Sequence, residues 1–190
     1  MNDRRLLTEY AKALALALAL AAPGALSFLP AVVHAAGAAT ESDVKAAYIY
    51  NFLQLVDWPA RESGATAGPI KICVIGGLQL GEALSGLSGR QAGGRPIEVS
   101  SSSAAGDGLA ACHVVVAGPG AQDALPIIFE KLKGADVLTV GDIPRFARKG
   151  GIIGFMTENG RVKIEINIHT ARRAGLKISG RLMEVARVIR

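Results

Sequence analysis

Cys73, Cys112, His113 and His169 are the side chains most suited to chemistry beyond the first 40 residues, and their spacing supports little of it. A nucleophile needs a base within hydrogen-bond reach and a third group to orient that base. Neither histidine lies near a Gly-x-Ser-x-Gly elbow or a paired-carboxylate motif, so each reads as a satisfied structural histidine. Two cysteines with His113 beside one of them fall short of a structural zinc set, and neighbours along a strand point to opposite faces. The stretch Cys-Val-Ile-Gly-Gly-Leu-Gln-Leu-Gly, residues 73–81, follows an apolar strand and opens a helix, as a dinucleotide fingerprint would. Its glycine spacing is wrong, and no acidic residue ends the next strand. It reads as a tight strand-to-helix turn, as does Gly118-Pro119-Gly120. No catalytic residue, cofactor site or metal site is expected, and the chain is not expected to be an enzyme.

The ligands at hand depend on compartment, and residues 1–36 decide it. Arg4, Arg5 and Lys12 lead into the apolar run Ala13 to Ala22, and the small-residue tract Ala35-Ala36-Gly37-Ala38 follows. That order is a secretory signal peptide, with cleavage expected at about 35–38. The alternative, an uncleaved membrane anchor, is interrupted by Pro23-Gly24, Pro30 and His34. Arg4-Arg5 also resembles a twin-arginine signal, though its flanks match poorly. Export to the periplasm takes the chain away from ATP, NAD and DNA. The leader holds three of the 21 Lys+Arg and two of the 16 Asp+Glu, which leaves 18 against 14. These charges are interspersed rather than gathered into a one-signed stripe, so a nucleic-acid partner is excluded.

An even cysteine count in an oxidising compartment makes a Cys73–Cys112 disulfide the natural reading, and two buried free thiols are the alternative. Closing that loop would stabilise the fold by about 4 kcal/mol in the chain-entropy model.

The elements that must position these residues form one domain over residues 40–190. Val44, Ala47, Tyr48, Phe52 and Leu55 recur at helical spacing, with Thr40 or Ser42 able to cap the helix and Trp58-Pro59 to stop it. Strands are expected at 70–75, 95–100, 112–117, 135–140 and 152–156. Helices are expected at 80–87 and 121–133, with one or two helical turns at 143–149. Loops are read at 61–69 and 100–108. This alternation requires crossovers, hence an α/β domain: a mainly parallel, doubly wound (Rossmann/flavodoxin-like) sheet with helices on both faces. Glu158-Asn159-Gly160 then signals a C-terminal antiparallel hairpin, and Val162, Ile164 and Ile166 alternate with Lys163, Glu165 and Asn167. A short helix is read at 170–174. Ser179 is expected to cap a last helix with Leu182, Val185, Ala186 and Ile189 facing the core.

The polar row Lys163, Glu165 and Asn167 reads as one wet strand face. With Arg172, Arg173 and Lys177 beyond it, the row is either a docking surface or a solvated face. A small ligand, if one binds, should settle at the carboxyl ends of strands near Gly76, Gly118 and Gly141.

Val44-Lys45-Ala46-Ala47-Tyr48-Ile49-Tyr50-Asn51-Phe52 and Val56-Asp57-Trp58-Pro59 resemble the opening of the YfiR family. Val137-Leu138-Thr139-Val140, Gly150-Gly151-Ile152-Ile153, Val162 to Asn167, and Ala174 to Ser179 running into Arg181-Leu182 resemble its close. The resemblance spans essentially the whole mature chain. It implies a periplasmic repressor of an inner-membrane diguanylate cyclase (YfiN-like), bound through the cyclase's periplasmic region, that lowers cyclic di-GMP and biofilm formation. It further implies release by an OmpA-like outer-membrane lipoprotein (YfiB-like), a homodimer, and pairing of Cys73 with Cys112. A second cysteine pair found in some members is replaced here by Ala147 and Gly154. Partner binding is placed at Lys163, Glu165, Asn167, Ala171 and Lys177. The other function considered is a periplasmic small-molecule sensor without a cyclase partner.

Overall fold

The computed structural model describes residues 39–58, 68–102, 105–106 and 108–189; the leader reading on 1–36 and the loop residues 61–67 lie outside them. The first helix, α1 (Glu41–Leu55), starts at a capping box. Thr40 Oγ1 accepts from the Asp43 N–H, and the Asp43 carboxylate accepts from the Thr40 N–H at 2.8 Å. Glu41 and Asp43 in the first turn suit the positive end of the helix dipole.

Its buried face differs from the expected one. Lys45, Ala46, Ile49, Phe52 and Leu53 turn inward, whereas Val44 is 37% exposed. The helix is apolar nearly all round, so apolar spacing alone does not fix which face packs. Burial of Ile49 and Phe52 accompanies the observed rotation, and the ion pairs of Lys45 described below are compatible with it.

After β1 (Val56–Asp57) come β2 (Ile70–Ile75), α2 (Leu78–Ser85), β3 (Gln91–Ala92) and β4 (Arg95–Ser102). A 3-10 turn at Leu109–Ala111 precedes β5 (Val114–Ala117). The helix expected at 121–133 is a 3-10 stretch, Pro119–Ala124, running into α3 (Leu125–Lys131). Then follow β6 (Leu138–Gly141), a 3-10 turn at Phe146–Lys149, and the hairpin strands β7 (Ile153–Glu158) and β8 (Arg161–Asn167). Last come α4 (Ile168–Arg173), β9 (Lys177–Ile178), α5 (Gly180–Glu184) and β10 (Arg187–Ile189).

The main sheet has the order β10-β8-β7-β6-β5-β2-β4-β3. From β4 to β7 the strands are parallel and follow the 2-1-3-4-5 order of flavodoxin-like sheets. The β7–β8 hairpin is antiparallel, as expected from its turn. Val114 and Val116 join one apolar cluster with α1 and α2, while Val115 and Ala117 join another with α3 and Phe146. A strand covered on both faces needs the unbroken apolar run seen in the sequence.

The short strands β1, β3, β9 and β10 were not visible in the pattern. β9 pairs antiparallel with β1, Val56 opposite Ile178, and seats the end of α1. β10 pairs parallel with β8, Arg187 opposite Glu165, where a helix was expected. The helical spacing of Leu182, Val185, Ala186 and Ile189 is too short a window to separate the two periods. Val185 is in fact 66% exposed, and the β-branched pair Val188-Ile189 extends to satisfy the outer edge of β8.

Candidate functional site

The expected wet row on β8 is corrected by the structure. Lys163 is exposed, but Glu165 is 4% exposed and Asn167 is half-buried. The reason is the turn at Phe146–Lys149, which lies across this end of the strand. Arg148 grips the Glu165 carboxylate as a fork, Nη2 at 2.9 Å and Nε at 3.1 Å from Oε1. That hydrogen-bonded carboxylate also holds the Arg148 pKa above its ordinary value. Asn167 caps α4 by accepting from the Thr170 N–H at 3.0 Å, and its amide donates to the Ala147 carbonyl at 3.0 Å. Ala171 is fully buried, and Lys177 is exposed on β9. Of the five residues placed at a partner surface, Lys163 and Lys177 are therefore on the outside; the other three build the support behind it.

Sequence reasoning missed the ion pairs that surround this support. Lys45, buried on α1, reaches Asp142 Oδ1 and Glu41 Oε1 at 2.6 Å each. Burial works to lower its pKa, but hydrogen bonds to the two carboxylates outweigh that and leave it raised. Glu41 is held below its ordinary value by the hydrogen bond from Lys45, and then by that from Thr157. A lysine inside an otherwise apolar helix face was the one available signal. Arg187 on β10 pairs with Glu158 at 2.8 Å across the hairpin.

Between these pairs, at the carboxyl ends of β6 and β7, lies a groove of about 400 Å3. Asp142, Arg145, Arg148 and Arg187 give it polar walls, and Ile143, Phe155 and Met156 give it apolar ones. Arg145 stands in the left-handed region at φ 60°, ψ 29°, where its carbonyl accepts from the Arg148 and Lys149 N–H groups at 3.0 Å. This conformation costs a residue with a Cβ about 1–2 kcal/mol.

The neighbouring mouth, between β2 and β5, is where a doubly wound sheet changes direction and commonly binds ligands. Here it is filled. The Gly118 N–H donates to the Ile75 carbonyl and the Gly120 N–H to the Gly76 carbonyl, both at 2.8 Å. A methyl group at Gly118 would collide with the Gly77 backbone, and one at Gly76 with the Gly120–Ala121 peptide. Gly141 is likewise covered, because the Phe146 ring rests on it and on Gly151. The space between the two glycine loops and that over Gly141 are thus taken by the protein's own atoms, while a cavity of about 490 Å3 opens beside Gly76 and Gly77 on their β4 side, lined also by Leu78, Ser101 and Ser102. The tight-turn reading of both glycine motifs holds.

Cys73 and Cys112 form a disulfide with Cα atoms 6.1 Å apart, linking β2 to the start of β5. His113 Nδ1 accepts from the Lys71 N–H at 3.1 Å, and its carbonyl accepts from the Trp58 indole at 3.3 Å, as suits a structural histidine. His169 is exposed on α4. Among the described residues no group of three or more His, Cys, Asp or Glu is placed to hold a metal. No helix among them is long and apolar enough to cross a membrane.

The model of the YfiR/HmsC-like family matches residues 42–187. The chain belongs to the YfiR/HmsC-like family. That range takes in α1, with the Lys45 contacts, through to Arg187. The YfiR/HmsC-like family is regulatory rather than catalytic, and membership supports a periplasmic regulator of a diguanylate cyclase at family level. No curated protein matches the chain in sequence. Among solved structures, a conserved domain protein from Vibrio cholerae O1 biovar El Tor is similar, with TM-score 0.56 and 13% identity over 80% of this chain. The match covers 60% of that protein's length, and at this identity it bears on the fold alone. An ABC domain from Streptococcus pneumonia, solved in complex with L-Trp, aligns with TM-score 0.45 and 10% identity over 63% of this chain and 55% of its own.

Proposed function

We propose that the mature chain acts in the periplasm as a repressor of an inner-membrane diguanylate cyclase, binding the cyclase's periplasmic region and so lowering cyclic di-GMP and biofilm formation. The family match over residues 42–187 carries this reading. The leader pattern in residues 1–36 agrees with it. Repression requires that the chain bind the inactive state of the cyclase better than the active one, since equal binding shifts nothing. The surface we assign to this contact is the outer side of the terminal segment, with Lys163 and Lys177 exposed. Glu165, Asn167 and Ala171 fix its shape from behind. An OmpA-like lipoprotein of the outer membrane is the partner that would relieve repression by sequestering the chain, and the working form is a homodimer.

The test is a cyclic di-GMP reporter in cells lacking the gene. Deletion should raise the signal, and the wild-type gene should restore it. The double variant Lys163→Glu/Lys177→Glu changes only exposed side chains, so it should fold with an unchanged melting temperature yet fail to restore repression. Full repression by a folded double variant would refute the surface. An unchanged signal on deletion would refute the function.

A further inference from the structure

We propose that the groove at the carboxyl ends of β6 and β7 binds a small organic monocarboxylate with an apolar body, and that Arg145 is the residue that receives the carboxylate. This goes beyond repression of a cyclase and does not depend on it.

Charge pairing around the groove singles out Arg145. Asp142 is held by Lys45, Glu165 by Arg148 and Arg187 by Glu158. Arg145 is exposed on the groove wall, and no ion pair to it is found among the described residues. Its backbone needs the left-handed region, which glycine adopts without steric cost, so the arginine side chain is kept here against a conformational penalty. Non-glycine residues in that region gather at ligand-binding positions, and a guanidinium fork matches a carboxylate with two parallel hydrogen bonds.

The other walls narrow the ligand further. Asp142 keeps part of its carboxylate open to the groove, its side chain 26% exposed, so a dianion such as a phosphate monoester would be repelled about twice as strongly as a monoanion. Phe155, Met156 and Ile143 supply apolar contact for an alkyl or aryl body, and about 400 Å3 lies within the range of small-molecule clefts.

Phenylacetate is the probe, with phenethylamine and benzyl alcohol as its cationic and neutral counterparts, titrated into the purified mature chain by calorimetry and thermal melting. Phenylacetate should bind with a Kd of about 1 mM or tighter and raise the melting temperature, while the amine and the alcohol should not. Arg145→Gly should weaken binding at least tenfold while leaving the unliganded melting temperature equal or higher, an outcome that loss of a merely structural residue would not give. Arg145→Lys keeps the charge but not the fork and should fall between the two. Arg181→Gln, an exposed arginine on α5 outside the groove, should bind as wild type. Three results would overturn the proposal: no saturable binding at about 10 mM phenylacetate, equal binding of the three probes, or undiminished binding by Arg145→Gly.

Discussion

At the β2–β5 mouth of the sheet, two glycine loops lie backbone against backbone and leave no room for a ligand. At the β6–β7 mouth, the loop after β6 seats Phe146 on Gly141 but leaves a groove of about 400 Å3 beside it. Both mouths lie at the same carboxyl edge, and topology alone favours the first. A glycine can let two peptide planes approach until nothing fits between them, which a residue with a Cβ cannot. Topology therefore names the edge of the sheet, and the contacts between particular loops decide which mouth along it is open.

The contrast makes the closed mouth the more costly to disturb. The Cys73–Cys112 bond closes a loop of sequence separation 39 and clamps the two strands that form it. Replacing both cysteines with serine should cost about 4 kcal/mol in urea unfolding. A loss below about 1 kcal/mol would mean that the glycine contacts hold this mouth by themselves. Gly118→Ala places a methyl against rigid backbone and should cost about 3 kcal/mol by the same measurement. A neutral effect would show that the loops can part, and the distinction between the mouths would fail.

At the open mouth the effects should be smaller. Glu165→Gln weakens the Arg148 fork, but Arg148 reaches solvent, so about 1 kcal/mol is expected in thermal melts. Arg145→Gly should stabilise the chain. Relief of left-handed strain, about 1–2 kcal/mol, exceeds the added backbone entropy of glycine and leaves a net gain of about 0.5 kcal/mol. A destabilised Arg145→Gly would point to a structural duty for the side chain.

The slightest effect should come from pH. Glu41 has its folded pKa depressed below the ordinary 4.5, so its contribution is present above that value and is lost as pH falls through the folded pKa. Lys45 has its folded pKa raised above 10.5, so its contribution is intact below that value and is lost as pH rises through the folded pKa. Stability from this pair is level through the neutral range. Glu41→Gln should flatten the acid limb of a melting-temperature profile and leave the neutral plateau unchanged.

Most of the sheet could be read from the sequence, because strands buried on both faces announce themselves as apolar runs such as Val114-Val115-Val116 and Gly151-Ile152-Ile153. The hairpin was equally plain from Asn159-Gly160. The rest depended on contacts between distant segments. Nothing near Glu165 tells that Arg148, 17 residues earlier, will cover it. In α1 only Lys45 hints at an ion pair, and nothing there names Asp142 as its partner. The short strands β9 and β10 exist because β1 and β8 have backbone edges to satisfy, and two or three residues cannot display a period of their own. The exposure of Glu165 and Asn167 was misjudged for the same reason: alternation gives the face of a strand, not what lies over that face.

The Lys45–Asp142 pair joins residues 97 positions apart. The opening helix is made first, yet its ammonium finds this partner only after three quarters of the polypeptide has been synthesised. Until then the segment is held only by its packing on earlier elements, such as Leu80 and Leu84 of α2, and by the Tyr50 hydroxyl donating to the Gln91 carbonyl. The first described helix thus completes its buried ion pair only with one of the later loops of the fold.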